Sequence, residues 1–207
     1  MKQIDALARL LGMKQAAFTT GDAAAALAVR SVAASKMLGR LAAAGHLVRL
    51  APGRWGVPDR LEPFALPEHL TAPLPAYVSL YSAMFHHGLI AQIPSVVYAV
   101  TLGRAQRRAT PLGVVRLHHV DAAFFFGYES HGRSGVKIAV PEKALLDALY
   151  LGAGHAGGLG ELPEIELPKS FRVSVARAML RRIPSPERRR RVAARLTAVL
   201  SGLQPES

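Results

Sequence analysis

Residues 19–57, TTGDAAAALAVRSVAASKMLGRLAAAGHLVRLAPGRWGV, constrain the fold of this chain more than any other segment. The stretch predicts two short helices joined by a turn and followed by a two-stranded hairpin. We expect Thr20 or Asp22 to cap the first helix, which would run through Val29. A side-chain oxygen at that position accepts hydrogen bonds from the unpaired N–H groups of the first helical turn.

The second helix is predicted to start at Ser31, which is also a cap candidate, after a turn at Arg30. It would run to about Ala44, and Gly45 would end it because glycine readily adopts the left-handed conformation. Apolar residues recur at the three- and four-residue spacing of a buried helical face. These residues are Ala34, Leu38, Leu41 and Ala44.

A hairpin is predicted from residues 46–50 and 55–57, which can pair around the turn signal Pro52-Gly53. Helix, turn, helix and hairpin in this order are typical of a winged helix-turn-helix. In such a motif the second helix enters the major groove of DNA. The predicted fold class is therefore α+β, with an N-terminal winged helix-turn-helix followed by a mixed α/β domain and C-terminal helices.

Polar and basic side chains fall on the outward face of the predicted second helix. The residues expected to contact DNA are Thr20, Arg30, Ser31, Ser35, Lys36, Arg40 and Arg54. Arg54, on the hairpin, would reach a phosphate or the minor groove. Because the helix is rich in alanine, affinity would depend mainly on phosphates and DNA shape. The alternative is a winged helix that contacts protein.

The overall charge agrees with a polyanionic partner but gives no sequence specificity. The chain has 207 residues, a formal net charge of +12 and no cysteine. Without cysteine, disulfides and zinc ribbons are excluded, and a bacterial cytoplasmic protein is expected. The opening residues are too polar for a signal peptide, and no apolar run is long enough for a membrane helix.

The charge is unevenly distributed along the chain. Residues 1–60 and 169–195 are strongly basic, residues 69–120 contain no acid, and residues 121–168 are acidic. The acid-free segment contains a cluster of possible contacts to DNA or to another polyanionic or acidic partner, namely Arg104, Arg107 and Arg108. The alternative is a solvated loop whose arginines pair with the acidic block.

Composition divides the chain into three parts: residues 1–58, a Pro-rich extended linker at 59–76, and an α/β domain at 77–207. Proline lacks the N–H group that helices and central strands need, so the linker is predicted to lie over the surface. In the second domain we expect a helix at 79–87, strands at 96–102, 114–120, 123–128 and 136–140, and a helix at 141–151. Helices capped by Ser170 and Ser185 would close the chain, near residues 183 and 203.

Four strings in the second domain occur in a recognisable order: YVSLYSAMFHHGLIAQIPSVVYAVTLGR, TPLGVVRLHHV, FFFGYE and VPEKALLDALYL. They resemble the AbiEi-type antitoxins and transcriptional regulators of type IV toxin–antitoxin systems, over approximately residues 15–151. The most specific parts are SAMFHHGL at residues 82–89 and PEKALLD at residues 141–147. The Gly-rich 152–160 loop and the Arg-rich end depart from many relatives.

The resemblance implies a repressor that binds its own promoter through the winged helix. It also implies a second domain that counteracts a nucleotidyltransferase toxin, without requiring a stable toxin–antitoxin complex. With such a partner, Arg104, Arg107 and Arg108 are possible contacts to DNA or to the toxin. The alternative is a stand-alone winged-helix regulator that has no toxin partner.

Enzymatic, metal-binding and membrane roles find little support in the sequence. There is no phosphate loop, HExxH helix or GxSxG elbow, and Ser130-His131 and Ser134-Gly135 lack the paired carboxylates of a nucleotidyltransferase. Glu129 with His131 has no specific nuclease spacing. The adjacent pairs His86-His87 and His118-His119 are expected to diverge, so we predict no metal, no cofactor and no catalysis. The Arg188–Arg191 run lacks bulky apolar anchors for a membrane surface.

Overall fold

The computed structural model describes residues 2–132, 135–152 and 162–203. The chain has mixed α and β structure, with helices at both ends. Within the described ranges, no helix combines the length and the apolar character needed to span a membrane. Ser134 and the Gly-rich run from residue 153 lie outside the described residues.

The N-terminal part consists of three helices and a small antiparallel sheet. In chain order its elements are α1 (Gln3–Gly12), β1 (Ala17–Thr19), α2 (Thr20–Leu27), α3 (Ser31–Ala43), β2 (Val48–Ala51) and β3 (Arg54–Gly56). The strands lie in the order β1-β3-β2. The two predicted helices and the hairpin are thus present, whereas α1 and β1 are additional elements.

The cap of α2 differs from the prediction. Thr19, not Thr20 or Asp22, is the N-cap residue, because its hydroxyl oxygen accepts the N–H group of Asp22 at 3.1 Å. The Asp22 carboxylate in turn accepts the Thr19 N–H group at 2.7 Å. These two bonds form a capping box, which satisfies two backbone donors at once. The Asp22 carboxylate accepts hydrogen bonds from the Thr19 N–H group and, at 2.8 Å, from the Thr19 hydroxyl, and these two bonds lower the pKa of Asp22.

Helix α3 buries Ala34, Leu38 and Leu41 as predicted, together with Met37. Ala44 is exposed, so its predicted place in the core is wrong: it is the C-cap residue, beyond the last turn of the helix. Ser31 is the first helical residue and not the cap.

The end of α3 confirms the role predicted for Gly45, which has a φ of +79°. The N–H group of His46 returns to the carbonyl oxygen of Leu41 at 3.0 Å. This bond, with that from Gly45 to Ala42, is the pattern of a Schellman motif and directs the chain into β2.

The second part is built on a mixed six-stranded sheet. Its strands are β4 (Ala76–Val78), β5 (Val97–Thr101), β6 (Gln106–Thr110), β7 (Gly113–His119), β8 (Tyr128–His131) and β9 (Val136–Ala139), in the order β6-β7-β5-β4-β9-β8. Strands β4 and β9 are parallel, as are β5 and β7.

Three of the four predicted strands of this part are confirmed in β5, β7 and β9. The strand predicted at 123–128 is wrong. Ala122–Phe124 form a 3-10 turn because the Asp121 carboxylate accepts the Ala123 N–H group at 2.9 Å. Strands β4, β6 and β8 were not predicted, since each is short and lacks clear alternation.

Helices cover one face of this sheet. They are α5 (Leu80–His86), α6 (Pro141–Leu151), α7 (Val173–Met179) and α8 (Pro186–Gly202). The predicted helices at 79–87 and 141–151 are confirmed, and Ser185 caps α8 by accepting the Arg188 N–H group. Ser170 caps nothing: α7 begins after Arg172, which makes no side-chain cap bond.

The predicted extended linker is wrong for residues 58–71. Two 3-10 turns, Pro58–Arg60 and Pro63–Ala65, lead into a short helix, α4 (Leu66–Thr71). A proline stands in the first turn of each, where its missing N–H group costs nothing. Leu66 and Pro67 are buried.

Side chains on both sides of the predicted domain boundary share one hydrophobic cluster. It contains Val48 and Leu50 of β2, and Leu61, Leu66 and Leu70 of the 58–71 segment; from the large sheet it contains Ala99, Val115 and Leu117. The hairpin therefore packs, with α4, on the sheet face opposite to α6. The boundary itself stays a prediction.

A buried polar network connects α6 to β4. Lys143 and Asp147 form an i,i+4 ion pair, and both side chains are fully buried. The Asp147 carboxylate also accepts the hydroxyls of Tyr77 at 3.0 Å and of Ser79 at 2.7 Å. Lys143 donates to the Tyr77 oxygen at 3.0 Å and lies 3.8 Å from the ring centre of Phe124.

Burial lowers the pKa of Lys143, while Asp147 opposes that shift. Burial also raises the pKa of Tyr77 well above its usual value, so its hydroxyl keeps its proton. Gly127, whose φ is +74°, lies against the stem of Lys143, where an added Cβ would meet side-chain carbons at 3.0–3.3 Å. The FFFG turn is thus shaped to cover this lysine.

We expect Asp147→Ala to lower the free energy of unfolding by about 3–5 kcal/mol, because it leaves the Lys143 ammonium and two hydroxyls buried without their acceptor. Urea unfolding of the full chain measures this. The control is Glu187→Ala, which removes the exposed i,i+4 partner of Arg191 and costs at most about 1 kcal/mol. Equal costs for the two variants would contradict the importance of the buried network.

Candidate nucleic-acid interface

The exposed face of α3 combines basic and small side chains. Ser35, Lys36 and Arg40 are exposed, as the sequence predicts. Lys36 and Arg40 are four residues apart and therefore share one helical face. Val32, one turn earlier, is 70% exposed and was not predicted as a contact. An apolar side chain at this position suits the methyl group of thymine.

No carboxylate neutralises this face within the helix, since Ser31–Ala43 contains no acidic residue. Across the described ranges, none of the four ion pairs involves a side chain of residues 2–60. The small side chain of Ser35 and the absent side chain of Gly39 would let another surface approach closely. The face is thus suited to a rigid, negatively charged partner.

The hairpin is fixed to the start of α2 through Thr20. The indole N–H group of Trp55 donates to the Thr20 hydroxyl at 3.0 Å, and the Thr20 backbone N–H group donates to Gly53 O at 2.8 Å. Trp55 itself is buried. Thr20, predicted to contact DNA, therefore has a structural role in setting the position of the hairpin relative to α2 and α3.

Two arginines extend the basic surface onto the hairpin. Arg54, a predicted contact, is half-buried and lies close enough to lower the pKa of His69, to which burial contributes most. Arg49 is exposed on β2, with its guanidinium 5.7 Å from the Trp55 ring centre. Sequence reasoning missed Arg49, although the alternation of Val48, Arg49 and Leu50 places it on the outer face.

Arg30 and Ser31 lie where a contact from the turn would be made. Arg30 is the exposed N-cap residue of α3 and makes no side-chain cap bond. Ser31, in the first helical position, is also exposed. Both directly precede Val32 in sequence. The connection between α2 and α3 therefore forms one continuous surface with the first helical turn of α3.

Arg104, Arg107 and Arg108 are exposed but do not form one cluster in a loop. Arg107 and Arg108 lie on β6, an edge strand paired with β7, so the solvated-loop alternative is wrong for these two. Consecutive strand residues point to opposite faces. Arg107 is paired with Arg116, whereas Arg108 is paired with Val115, on the face that packs against the hairpin.

Three histidines come together at the other end of the sheet. The ring centres of His86, His87 and His131 lie 4.9–6.5 Å apart. The His87 ring contacts Ala139 O through Nε2 at 2.7 Å. The expected divergence of His86 and His87 is therefore incomplete. Among the described residues, no group of three or more acidic, histidine or cysteine side chains is arranged to hold a metal ion.

No protein-family model matches the chain, and a search of curated proteins finds no significant similarity.

We expect Thr20→Val to lower the free energy of unfolding by about 1–3 kcal/mol, because the buried indole N–H group of Trp55 loses its acceptor. Fluorescence of Trp55, the single tryptophan, reports the transition. Thr197→Val, an exposed threonine on α8, is the control. Unchanged stability combined with weakened DNA binding would instead assign the Thr20 hydroxyl to DNA contact.

Proposed function

We propose that this chain is a cytoplasmic antitoxin of a type IV toxin–antitoxin system that also represses its own promoter. In this proposal residues 1–58 form a winged helix-turn-helix, with α3 as the recognition helix and the β2–β3 hairpin as the wing. The observation that carries the DNA-binding part is the exposed, acid-free face of α3 beside a hairpin held by Trp55 and Thr20.

The exposed face of α3 fits duplex DNA better than it fits a protein partner. A protein interface needs a buried apolar centre, and this face offers one large apolar side chain, Val32. Lys36 and Arg40 are suited to phosphates or to guanine edges, and Ser35 to a base edge or a phosphate. Arg49 and Arg54 on the wing extend the contact to neighbouring phosphates.

The antitoxin part of the proposal is based on the family resemblance of residues 77–151. The described structure gives the resembling strings concrete packing roles. PEKALLD forms the first two turns of α6 and carries the buried Lys143–Asp147 pair, and FFFG covers Lys143. These two strings therefore specify part of the scaffold of the domain.

For DNA binding, we expect Lys36→Ala with Arg40→Ala to weaken binding of the chain to duplex from its own promoter. Each lost phosphate contact should flatten the plot of log affinity against log salt by about one unit, so the double variant should lose about two. Gel-shift titrations at several salt concentrations measure the slope.

The matched control is Arg177→Ala with Arg181→Ala, which removes the same charge from exposed positions on α7 and the turn after it. This control should keep most of the affinity. If the α3 double variant binds as the unchanged chain does, α3 is not the reader. A loss of affinity in both variants to the same extent would indicate attraction by net charge alone.

For the antitoxin role, we expect the full chain with Lys36→Ala and Arg40→Ala to rescue cells that express a co-encoded nucleotidyltransferase, while failing to repress a promoter reporter. The full chain is used because Val48 and Leu50 complete the core of the large sheet. Loss of rescue together with repression would assign the antitoxin effect to transcription alone. Absence of a co-encoded nucleotidyltransferase would favour a stand-alone regulator.

A further inference from the structure

An open cleft lies between strands β6 and β7 of the large sheet and the helices that cover this sheet. Its volume is about 880 Å³. Strands β6 and β7 form one wall, and the end of α6 with the start of α8 forms the other. Clefts of a few hundred to a thousand cubic ångströms are typical of sites for small ligands.

The cleft is basic. Three arginines line it, Arg107, Arg116 and Arg188, against a single acidic residue, Asp121. The Asp121 carboxylate already accepts the Ala123 N–H group at 2.9 Å. Among the described residues, neither Arg107 nor Arg188 is in an ion pair with a carboxylate. At Arg107 and Arg188, an anion in the cleft would thus meet charge that no carboxylate of the described residues neutralises.

His118 contributes a neutral ring to the wall of the cleft. Burial and the neighbouring Arg116 lower the pKa of His118 to about 4, so the imidazole is neutral at neutral pH. Its ring stacks with that of Tyr98, with the ring centres 6.2 Å apart. The arginines therefore set the charge of the cleft.

The wall formed by the helices adds a flat cationic surface. The guanidinium of Arg188 lies 4.2 Å from the ring centre of Tyr150 and donates to its hydroxyl at 2.9 Å. This contact fixes a planar cation, on which a nucleobase can stack.

We propose that this cleft binds a nucleoside polyphosphate. Arg107 and Arg116 hold the phosphates, and the base lies against the Arg188–Tyr150 pair. Arginine suits this role because its planar fork contacts phosphate through two parallel hydrogen bonds. The two-walled shape of the cleft favours a compact ligand over duplex DNA. The exposed side chains of Arg104 and Arg108, in contrast, are accessible to DNA. The inference does not depend on the proposed function.

The test is a calorimetric titration of the full chain with ATP and GTP. Arg107→Glu and, separately, Arg188→Glu should each weaken nucleotide binding by about tenfold or more, because a charge-assisted contact is replaced by repulsion. The matched control is Arg108→Glu. It makes the same charge change on the same strand, but its side chain lies on the opposite face, so it should change affinity less than about threefold, as expected for screened charges.

Arg107 is exposed on an edge strand, so Arg107→Glu should not disturb folding. It therefore tests the cleft even if Arg188→Glu perturbs the folding of α8. Equal weakening by Arg107→Glu and Arg108→Glu would overturn the proposal, because binding would then follow net charge. Failure of the unchanged chain to bind either nucleotide would overturn it as well. Inorganic tripolyphosphate that binds as tightly as ATP would reject the nucleoside part of the site.

Discussion

The buried pair of Lys143 and Asp147 is the constraint on which the larger part of the molecule depends. Two opposite charges without solvent contact are tolerated only when every remaining donor and acceptor is satisfied. The hydroxyls of Tyr77 and Ser79 supply those partners and thereby fix β4 against α6. Phe124 and Gly127 close over the lysine, so one ion pair determines how a central strand, a helix and a turn fit together.

A second constraint joins the N-terminal hairpin to this scaffold. Val48 and Leu50 point from β2 into a cluster completed by Leu66 of α4 and by Val115 and Leu117 of β7. Because these side chains lose apolar contact if the hairpin is displaced, the orientation of the hairpin is coupled to the large sheet. In the proposed function, this coupling places the wing on the same side of the molecule as the sheet edge formed by β6.

The excess positive charge is divided among surfaces of different shape. The face of α3 is convex and rigid, with Lys36 and Arg40 one turn apart, as suits a groove. The cleft beside Arg107 and Arg188 is recessed and suits a compact anion. Net charge alone does not distinguish these two, since it attracts any polyanion. The shapes of the two surfaces make the distinction.

The sequence by itself determined the elements whose signals are local. The spacing of Leu38 and Leu41 predicted the buried face of α3, and Gly45 predicted its end, because periodicity and capping depend on residues a few positions apart. Only the tertiary structure decided that the Lys143–Asp147 pair is buried, that the 58–71 segment is folded, and that Arg107 and Arg108 face opposite sides of the sheet. Each of these depends on which distant segments pack together, and no local pattern encodes that.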